Sequence, residues 1–374
     1  MKLALALSGG GIRAAAFHCG VLQRLALNDL LEKTTFVSSV SGGSLVVGLI
    51  LCKNGLQWPG SDEFLNRVLP RVRKCLTTST LQWSYAWRSF VLPWRLIRGR
   101  AHILAKQLER QWGVQGTIQN IEPQPRWIVN ATCFETGRNW RFDHKRMGDY
   151  ITQYVIRPNI PIASAIAASA AMPGLIGPLI IRSNDYEWYR YEGKELRSTT
   201  PVAKRYELWD GGVYDNLGVE PLFKPGGGFR DGFDFLLVSD ASSPLELDPR
   251  TLRRMIKPIH RTMRLINIAT EQIRGLRART VVSDFATGRS LGAYLRIGNT
   301  VEDIFSASGE VVPEFSYLSP TEVKQASTFA TTLRRISPSE FDLLMQHGFE
   351  VANATLATRQ KDLFKFLKNS SRQR

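Results

Sequence analysis

Apolar positions change their spacing within the first 30 residues of the chain. Leu3–Leu7 is a continuous apolar run typical of a short buried strand, and the turn Gly9-Gly10-Gly11 follows it. Apolar residues then recur at helical spacing, at Ala14, Phe17, Val21 and Leu25. The pattern predicts a strand, a glycine loop and a helix with one apolar face.

The same order repeats in the next 25 residues. Residues 35–38 predict a second strand, and residues 45–53 predict a buried helix that ends at Asn54-Gly55. Alternation of strands and helices is typical of a layered α/β fold with a mostly parallel sheet.

Beyond residue 120 the pattern predicts further elements. Strands are predicted at 126–132, 139–142 and 234–238, and a helix of small residues at 162–171, before Met172-Pro173. Residues 250–280 predict a basic helical region. Ser337-Pro338 predicts a helix start, and we expect that helix to run to Leu367.

Composition adds one unusual property, the charge. The 374 residues carry a formal net charge of +16, which favours a polyanionic partner, either nucleic acid or an anionic membrane surface. The four cysteines form no C-x-x-C pair, which indicates a reducing, cytoplasmic compartment. The apolar run near the N-terminus is too short for a signal peptide, and no run is long enough for a transmembrane helix.

The glycine loop SGGGIRA has the character of an anion site. Backbone N–H groups at a helix N-terminus point outward, and the helix dipole is positive there. One anion that fits is a pyrophosphate, because Gly9-x-Gly11-x-x-Ala14 follows a strand and Asp29 or Glu32 lies about 20 residues on. The other is the oxyanion of acyl transfer. The loop alone does not choose between them.

The stretch SSVSGGS, residues 38–44, favours acyl transfer. Ser41 lies between a predicted strand and a buried helix, with small neighbours at Ser39 and Gly43, as in a nucleophile elbow. A serine hydroxyl needs a base within hydrogen-bond reach. A dinucleotide-binding domain has no need of such a serine turn after its second strand.

An aspartate is a better candidate base than a histidine. None of the five histidines (His18, His102, His144, His260, His347) ends a strand within a catalytic pattern. Asp210 follows a short apolar stretch in ELWDGGVYDNLG, and Gly211 and Gly212 let backbone approach it closely. Asp240 also ends a predicted strand, and the pattern favours Asp210 over it only slightly.

The glycine loop, the serine elbow and the distal Asp-Gly-Gly, in this order, resemble the patatin-like phospholipases, which are related to cytosolic phospholipase A enzymes. FHCGVLQRL, NATCFETGRNWRF, ASAAMPGLIGPL and DGGVYDNLGVEPL strengthen the resemblance. It implies one patatin-like domain over 1–374, with a three-layer α/β/α fold and a mostly parallel central sheet. A basic, tryptophan-rich helical insertion at about 61–120 and a helical C-terminal region at about 320–374 complete the predicted domain.

The resemblance also implies a mechanism, a Ser41–Asp210 dyad without histidine, cofactor or metal. The amides of Gly10 and Gly11 would form the oxyanion hole, supported electrostatically by Arg13. Gly9, Ser39, Gly43, Gly211 and Gly212 would support the motifs. Ser39 stands where the usual elbow begins with glycine.

The predicted insertion combines indole rings with arginines. Its members most relevant to a surface are Trp83, Trp87, Trp94, Arg95, Arg98 and Arg100. They suit an anionic bilayer interface, single-stranded nucleic acid, or a helical cap with buried rings and solvated charges. The catalytic motifs favour the membrane, and nucleic acid is not expected as a partner.

These observations predict a cytoplasmic, peripherally membrane-associated enzyme that cleaves acyl esters of membrane phospholipids. One rival is a Ser-His-Asp esterase that uses His260 or His347. Another is a dinucleotide-binding oxidoreductase built on SGGGIRA, and a third is a non-catalytic basic binding module. The sequence identifies no activating ligand.

Overall fold

A computed structural model describes residues 1–81, 100–230, 232–245 and 258–367. Five residues of the predicted membrane surface, Trp83, Trp87, Trp94, Arg95 and Arg98, lie outside these ranges. Arg100 is described. It is half-buried and immediately precedes the helix Ala101–Gln107.

The strands, in chain order, are β1 Leu3–Leu7, β2 Thr34–Ser39, β3 Arg126–Cys133, β4 Asn139–Phe142, β5 Arg146–Asp149, β6 Gln153–Ile156, β7 Leu179–Arg182, β8 Trp188–Glu192, β9 Glu195–Thr199, β10 Arg205–Asp210, β11 Phe223–Lys224, β12 Gly228–Phe229, β13 Phe235–Asp240 and β14 Gly292–Arg296. The helices are α1 Gly11–Ala26, α2 Gly42–Lys53, α3 Ser61–Glu63, α4 Leu69–Thr78, α5 Ala101–Gln107, α6 Ile162–Ser169, α7 Gly212–Asp215, α8 Pro258–Ala286, α9 Val301–Ser306, α10 Pro320–Ser327 and α11 Pro338–Arg359. Single π-helical turns at Phe64–Val68 and Leu108–Trp112 adjoin α4 and α5.

The strand order of the main sheet combines a parallel half with an antiparallel half. β14, β13, β1, β2 and β3 are neighbours in that order and run parallel. From β3 the sheet continues antiparallel through β4, β5, β6, β8 and β9. In the parallel half, the carboxyl ends of β1, β2 and β13 meet at one edge, where α/β sheets commonly form ligand sites.

Two strand ends meet along one edge of β3. β2 runs parallel to β3 and its last residue, Ser39, lies opposite Val129. β10 runs antiparallel to β3, and its last residue, Asp210, lies opposite Ala131. The turns after Ser39 and Asp210 therefore emerge two residues apart along β3, on either side of Asn130.

The alternating side chains of β1 fill cores on both faces of the sheet. Leu3, Leu5 and Leu7 are buried against α1, α2 and α11. Ala4 and Ala6 face the other way, toward a cluster that includes Leu217 to Phe223 and Ala278 and Val281 of α8. The predicted α/β/α layering is confirmed.

Within the described residues, the predicted elements agree with the structure except at the C-terminal end; residues 250–257 of the predicted basic helical region and 82–99 of the predicted insertion lie outside the described residues. The strands 3–7 and 139–142 have the predicted bounds, and Ser337 caps α11 as expected, by accepting the N–H of Glu340. The expectation that this helix runs to Leu367 is wrong, because α11 ends at Arg359. The chain then turns back, and Asn353 of α11 accepts the N–H of Leu367 at 3.0 Å.

α1 and α11 pack closely because each has a glycine at the crossing. A Cβ on Gly20 would lie 1.8 Å from the carbonyl oxygen of Met345, and one on Gly348 would lie 2.0 Å from that of Phe17. Both contacts are with backbone atoms, which cannot move aside as a flexible side chain can. The helix that follows the glycine loop is thus held against the C-terminal helix.

We expect Gly20→Ala and Gly348→Ala each to lower the free energy of unfolding by about 1–3 kcal/mol or more, the usual cost of overpacking a core. The measurement is urea denaturation. The matched control is Gly275→Ala in α8, where the nearest atom is the flexible Arg279 Nη1 at 3.5 Å. That change should stabilise the helix by about 0.5–1 kcal/mol. Equal effects at all three sites would contradict the close packing.

Candidate active site

Ser41 lies in a strained turn between β2 and α2. Its backbone has φ 48° and ψ −112°, a conformation that a residue with a side chain rarely adopts. The two following glycines permit the turn, because a Cβ on Gly42 would lie 2.3 Å from Gly11 O, and one on Gly43 would lie 2.4 Å from Leu7 O. The sharp strand-to-helix turn predicted from SSVSGGS is present in the structure.

A chain of buried hydroxyl groups holds this turn. The Ser41 N–H donates to Ser169 Oγ at 2.9 Å, and Ser169 is bonded to Ser44 at 2.9 Å. Ser44 is bonded in turn to Ser39 at 2.9 Å, and Trp127 Nε1 donates to Ser39 Oγ at 2.8 Å. Ser39, Ser44 and Ser169 are fully buried. The serine that replaces the usual elbow glycine is therefore one member of this network.

Asp210 lies beside Ser41 at the end of β10. Ser41 and Asp210 line the same cleft, and the Ser41 side chain lies close enough to the Asp210 carboxylate to influence its pKa. The carboxylate accepts the Gly212 N–H at 2.7 Å. Burial raises the pKa of the Asp210 carboxyl from its ordinary 3.8 to about 6, although the Gly212 N–H and the nearby Ser41 side chain act in the opposite direction. Asp210 thus becomes a stronger base than an exposed aspartate.

The glycine loop lies against Ser41 and lines the same cleft as Asp210. Gly10 has φ +143° and Gly11 has φ +63°, values that favour glycine. A Cβ on Gly9 would lie 3.2 Å from Ser41 Cβ and 2.3 Å from Asn216 Oδ1. Gly10 and Gly11 occur where α1 begins, so their N–H groups have no hydrogen-bond acceptor within the helix.

Arg13 connects this loop to two distant segments. It is buried, with Nε donating to Ala241 O at 3.1 Å and Nη1 donating to Phe329 O and to Thr331 Oγ1. Burial lowers the pKa of its guanidinium to about 10, while nearby Asp240 raises it, so it stays charged at neutral pH. Its bonds to backbone show that Arg13 braces the loop as well as contributing charge.

Two of the described histidines, His18 and His347, are bonded elsewhere. His18 Nε2 donates to Ser8 O at 3.0 Å, so Nδ1 accepts from Ser239 Oγ at 2.8 Å, and the ring joins the ends of β1 and β13. His347 Nε2 donates to Ile297 O from within α11. Burial lowers the pKa of both to about 4. Neither ring lines the cleft at Ser41, and the His260 side chain lies outside the described part of the chain.

The other carboxylates considered from the sequence are also bonded elsewhere. Glu32 accepts the N–H and the hydroxyl of Ser61. Asp240 is buried and pairs with Arg274 of α8. The structure thus gives Glu32 a helix-capping role and Asp240 an ion-pairing role, whereas Asp210 contacts Ser41.

A cleft of about 280 Å³ opens over the pair. Its lining includes Gly9, Gly10, Arg13, Ser41 and Asp210. Apolar side chains extend from this polar end, and they are Met172, Pro173, Val213, Leu245 and Ile266. A polar reacting centre beside an apolar channel suits an ester with a hydrocarbon chain.

Sequence reasoning missed three polar residues of this site. Ser169 accepts the elbow N–H from a helix 128 residues further along the chain. Asn130 donates to Ser38 Oγ and Ser39 O from the middle of β3. Asn216 accepts the Gly9 N–H at its carbonyl and donates to Ser242 Oγ. A polar residue within an apolar strand was the available signal for Asn130.

The family model described as "Patatin-like phospholipase" matches residues 5–223. The chain belongs to the patatin-like phospholipase family. The match contains the glycine loop, the elbow and the Asp-Gly-Gly motif, and it confirms the family that these motifs predicted.

Fungal relatives cover a large part of the chain. A patatin-like phospholipase domain-containing protein of Aspergillus clavatus is 28% identical over 253 residues, which is 66% of this chain and 30% of that protein. One of Aspergillus oryzae is 28% identical over 212 residues, 54% of this chain and 27% of that protein. The chain therefore spans less than a third of the length of these relatives.

Solved structures share the fold. Human GIVD cytosolic phospholipase A2 superimposes with a TM-score of 0.52 at 15% identity, and the match covers 97% of this chain and 62% of that one. The likeness confirms the predicted patatin-like fold. Within the described ranges, no helix is long and apolar enough to span a bilayer, and no three His, Cys, Asp or Glu side chains converge as a metal site would require.

The raised pKa of Asp210 predicts a pH-dependent stability. The folded state binds this proton more tightly than the unfolded state does, so the group favours folding below about pH 4 and that contribution is lost as the pH rises through about 6. Asp210→Asn, which stays neutral, should therefore gain up to about 3 kcal/mol over wild type between pH 4 and pH 8. Urea denaturation across this range measures the gain. Exposed Asp342→Asn is the control, and a gain that does not change with pH would contradict the assignment.

The hydroxyl chain predicts that Ser169 positions Ser41. Ser169→Ala removes the acceptor of the Ser41 N–H, so a fluorophosphonate should label Ser41 about tenfold more slowly, the scale of one lost buried hydrogen bond. Ser164→Ala on the same helix is the control and should label at the wild-type rate. Unchanged labelling of Ser169→Ala in a folded protein would show that the elbow does not need this bond.

Proposed function

We propose that this chain hydrolyses acyl esters of membrane glycerophospholipids, with Ser41 as nucleophile and Asp210 as its base. The observation that carries the proposal is the position of Ser41 beside a buried carboxylate, Asp210, whose pKa is raised to about 6, in one cleft with the glycine loop. Such a carboxylate is ionised at neutral pH, yet it accepts a proton more readily than an exposed aspartate does.

The first half of the reaction forms an acyl-enzyme. Asp210 takes the Ser41 proton while Ser41 Oγ bonds to the ester carbonyl carbon, and the carbonyl oxygen becomes an oxyanion. We expect the N–H groups of Gly10 and Gly11, which precede the first turn of α1, to bind it. The bond to the leaving alcohol then breaks, and Asp210 returns its proton to that oxygen, which releases a lyso-lipid.

The second half frees the enzyme. Asp210 takes a proton from a water molecule, and the hydroxide attacks the acyl carbon through a second oxyanion in the same position. Ser41 Oγ leaves and regains the proton from Asp210. The apolar wall of the cleft, with Met172 and Leu245, would hold the acyl chain throughout.

Peripheral membrane binding in the cytoplasm belongs to the proposal as well. The single-domain organisation with a basic insertion at about 61–120 would bring a tryptophan- and arginine-rich surface to a lipid interface. The net charge of +16 supports attraction to anionic lipid.

Replacing either member of the pair should abolish hydrolysis of a short-chain ester and of phospholipid vesicles. Because the two residues act as one unit, Ser41→Ala, Asp210→Asn and the double variant should lose activity to a similar extent. Turnover and fluorophosphonate labelling are the measurements. Asp342→Asn and Ser164→Ala should retain wild-type turnover.

The rival mechanism has its own signature in the same experiment. Full turnover by Asp210→Asn, together with loss of turnover in His260→Ala, would replace the pair with a Ser-His-Asp triad. Failure of fluorophosphonate to label wild-type Ser41 would contradict a serine hydrolase of either kind.

Loss of three cations from the insertion should weaken interfacial catalysis. Replacing Arg95, Arg98 and Arg100 with glutamine should lower binding to anionic vesicles and slow hydrolysis of bilayer lipid, because each cation near such a surface contributes about 1 kcal/mol. Turnover of the short-chain ester should stay near wild type, since the catalytic pair is unchanged. Vesicle sedimentation and the two hydrolysis rates measure the effect.

The matched control removes three exposed arginines elsewhere, Arg190, Arg197 and Arg205, which changes the net charge equally. If the control variant loses as much vesicle binding as the first variant, the loss is explained by overall net charge and not by the position of the arginines. If the first variant loses turnover of the short-chain ester as much as hydrolysis of bilayer lipid, the segment has a structural role rather than a membrane-binding one.

A further inference from the structure

A second cavity, of about 630 Å³, lies apart from the cleft at Ser41 and shares none of its lining residues. Its floor is the face of β3 to β6 that includes Asn139 and Arg141 of β4. The alternate residues of β4, Trp140 and Phe142, are buried in the main core. Tyr214 and the hairpin of β11 and β12 line the opposite side. The cavity is therefore built by the fold rather than by one loop.

Cations outnumber acids around this cavity. The cationic side chains are Arg126, Arg138, Arg141, Arg146, Lys224 and Arg230, and the acidic ones are Asp143, Asp149 and Glu220.

Each of the three acidic side chains already has a bonding partner within the protein. Asp143 pairs with Arg126 at 2.6 Å, and Glu220 pairs with Arg230 at 3.1 Å. Asp149 accepts the N–H groups of Ile151 and Thr152, both at 2.8 Å.

Four cations remain without an acidic partner among the residues that the structure describes: Arg138, Arg141, Arg146 and Lys224. Several like charges around one concave surface repel each other, and the repulsion is relieved when an anion binds. Burial lowers the pKa of Arg141, and Arg230 and Arg146 act in the same direction, against Glu220.

Arg141 has the position of a ligand-binding side chain. Its Nε is buried with no hydrogen-bond partner in the described residues, and so is the Oδ1 of neighbouring Asn139. Across the sheet, Arg141 lies opposite Gly148, and Gly148 lies opposite Tyr154. Gly148 lines the cavity beside Arg141 with backbone alone, because a Cβ there would lie 2.1 Å from the carbonyl oxygen of Gln153. A buried polar atom without a partner is energetically costly, and a ligand that bonds to it removes that cost.

Two other cations are held in place by aromatic rings. The Arg146 guanidinium lies 4.5 Å from the ring centroid of Tyr154 and 5.4 Å from that of Tyr191. Arg138 lies 5.4 Å from that of Tyr150. Stacking restricts these long side chains in the free protein, which lowers the entropy lost when they bind a ligand.

We propose that this cavity binds a phosphate-bearing ligand, with Arg141 donating to phosphate oxygens and Asn139 Oδ1 accepting from a hydroxyl or N–H group beside the phosphate. Arg138, Arg146 and Lys224 supply further positive charge. A planar guanidinium with several donors matches phosphate geometry, and Arg141 has free donors for it. The phosphate belongs either to a water-soluble metabolite or to a lipid headgroup.

Inorganic pyrophosphate is the probe, measured by isothermal titration calorimetry on the full chain. Wild type should show saturable binding at a single site. Arg141→Gln should weaken it by at least about tenfold, the scale of one lost charged hydrogen bond. The matched control is Arg197→Gln, the same charge change on the exposed hairpin of β8 and β9, and it should bind as wild type does.

Lys224→Gln is a second variant in case Arg141→Gln does not fold, because Lys224 is exposed on a short hairpin. It should also weaken pyrophosphate binding. Sedimentation with phosphatidylcholine vesicles that contain phosphatidylinositol bisphosphate separates the two sources. Arg141-dependent sedimentation supports a lipid headgroup, and Arg141-dependent pyrophosphate binding without it supports a soluble ligand.

The proposal fails if neither probe binds wild type saturably. It also fails if Arg141→Gln and Lys224→Gln bind both probes as tightly as Arg197→Gln does. Because none of these measurements depends on ester hydrolysis, failure here is distinct from failure of the proposed catalytic pair.

Discussion

The register of β3 is the constraint on which the candidate site depends. Ser39 lies opposite Val129 and Asp210 lies opposite Ala131, so two chain segments far apart in sequence end against the same strand. A shift of either pairing by one residue would turn its side chains to the other face of the sheet. Asn130 stands between the two ends and bonds to the β2 side, which fixes that register locally.

Hydrogen bonds between buried polar groups hold the turn at Ser41 and the glycine loop in the positions that the strand pairing sets. The hydroxyls of Ser39, Ser44 and Ser169 are fully buried, yet each is hydrogen-bonded, so the network carries little desolvation penalty. It holds a strained backbone at Ser41. Arg13 does the same for the glycine loop by bonding to Ala241 and Phe329, residues beyond the span matched by the family. The C-terminal third of the chain thus helps to shape the site.

Local signals in the sequence predicted the elements and the motifs that the elements carry. The run Leu3–Leu7 and the cap at Ser337 depend on neighbouring residues, and the structure has both as expected. The choice between Asp210 and Asp240 was open because it is decided by a distant residue, Arg274, which pairs with Asp240.

Long-range contacts also explain what sequence reasoning missed. Ser169 is one of several small residues in α6 and gains its role only from the approach of Ser41. The early end of α11 has a similar cause, since Asn353 bonds to the returning chain at Leu367. Secondary-structure propensity is read from neighbouring residues, so it could predict neither of these two contacts. The roles assigned to the pair, to the oxyanion loop and to the membrane surface remain predictions.

The position of β1 between β2 and β13 has a consequence for folding during synthesis on the ribosome. β1 pairs on one side with β2, but on the other with β13, where Leu3 lies opposite Phe235. At usual rates of synthesis, the second partner leaves the ribosome on the order of tens of seconds after the first. During that time a central apolar strand has one unsatisfied edge, which is the kind of surface that chaperones shield and that aggregation exploits. A fragment that stops at residue 223, where the family match ends, would keep that edge open permanently.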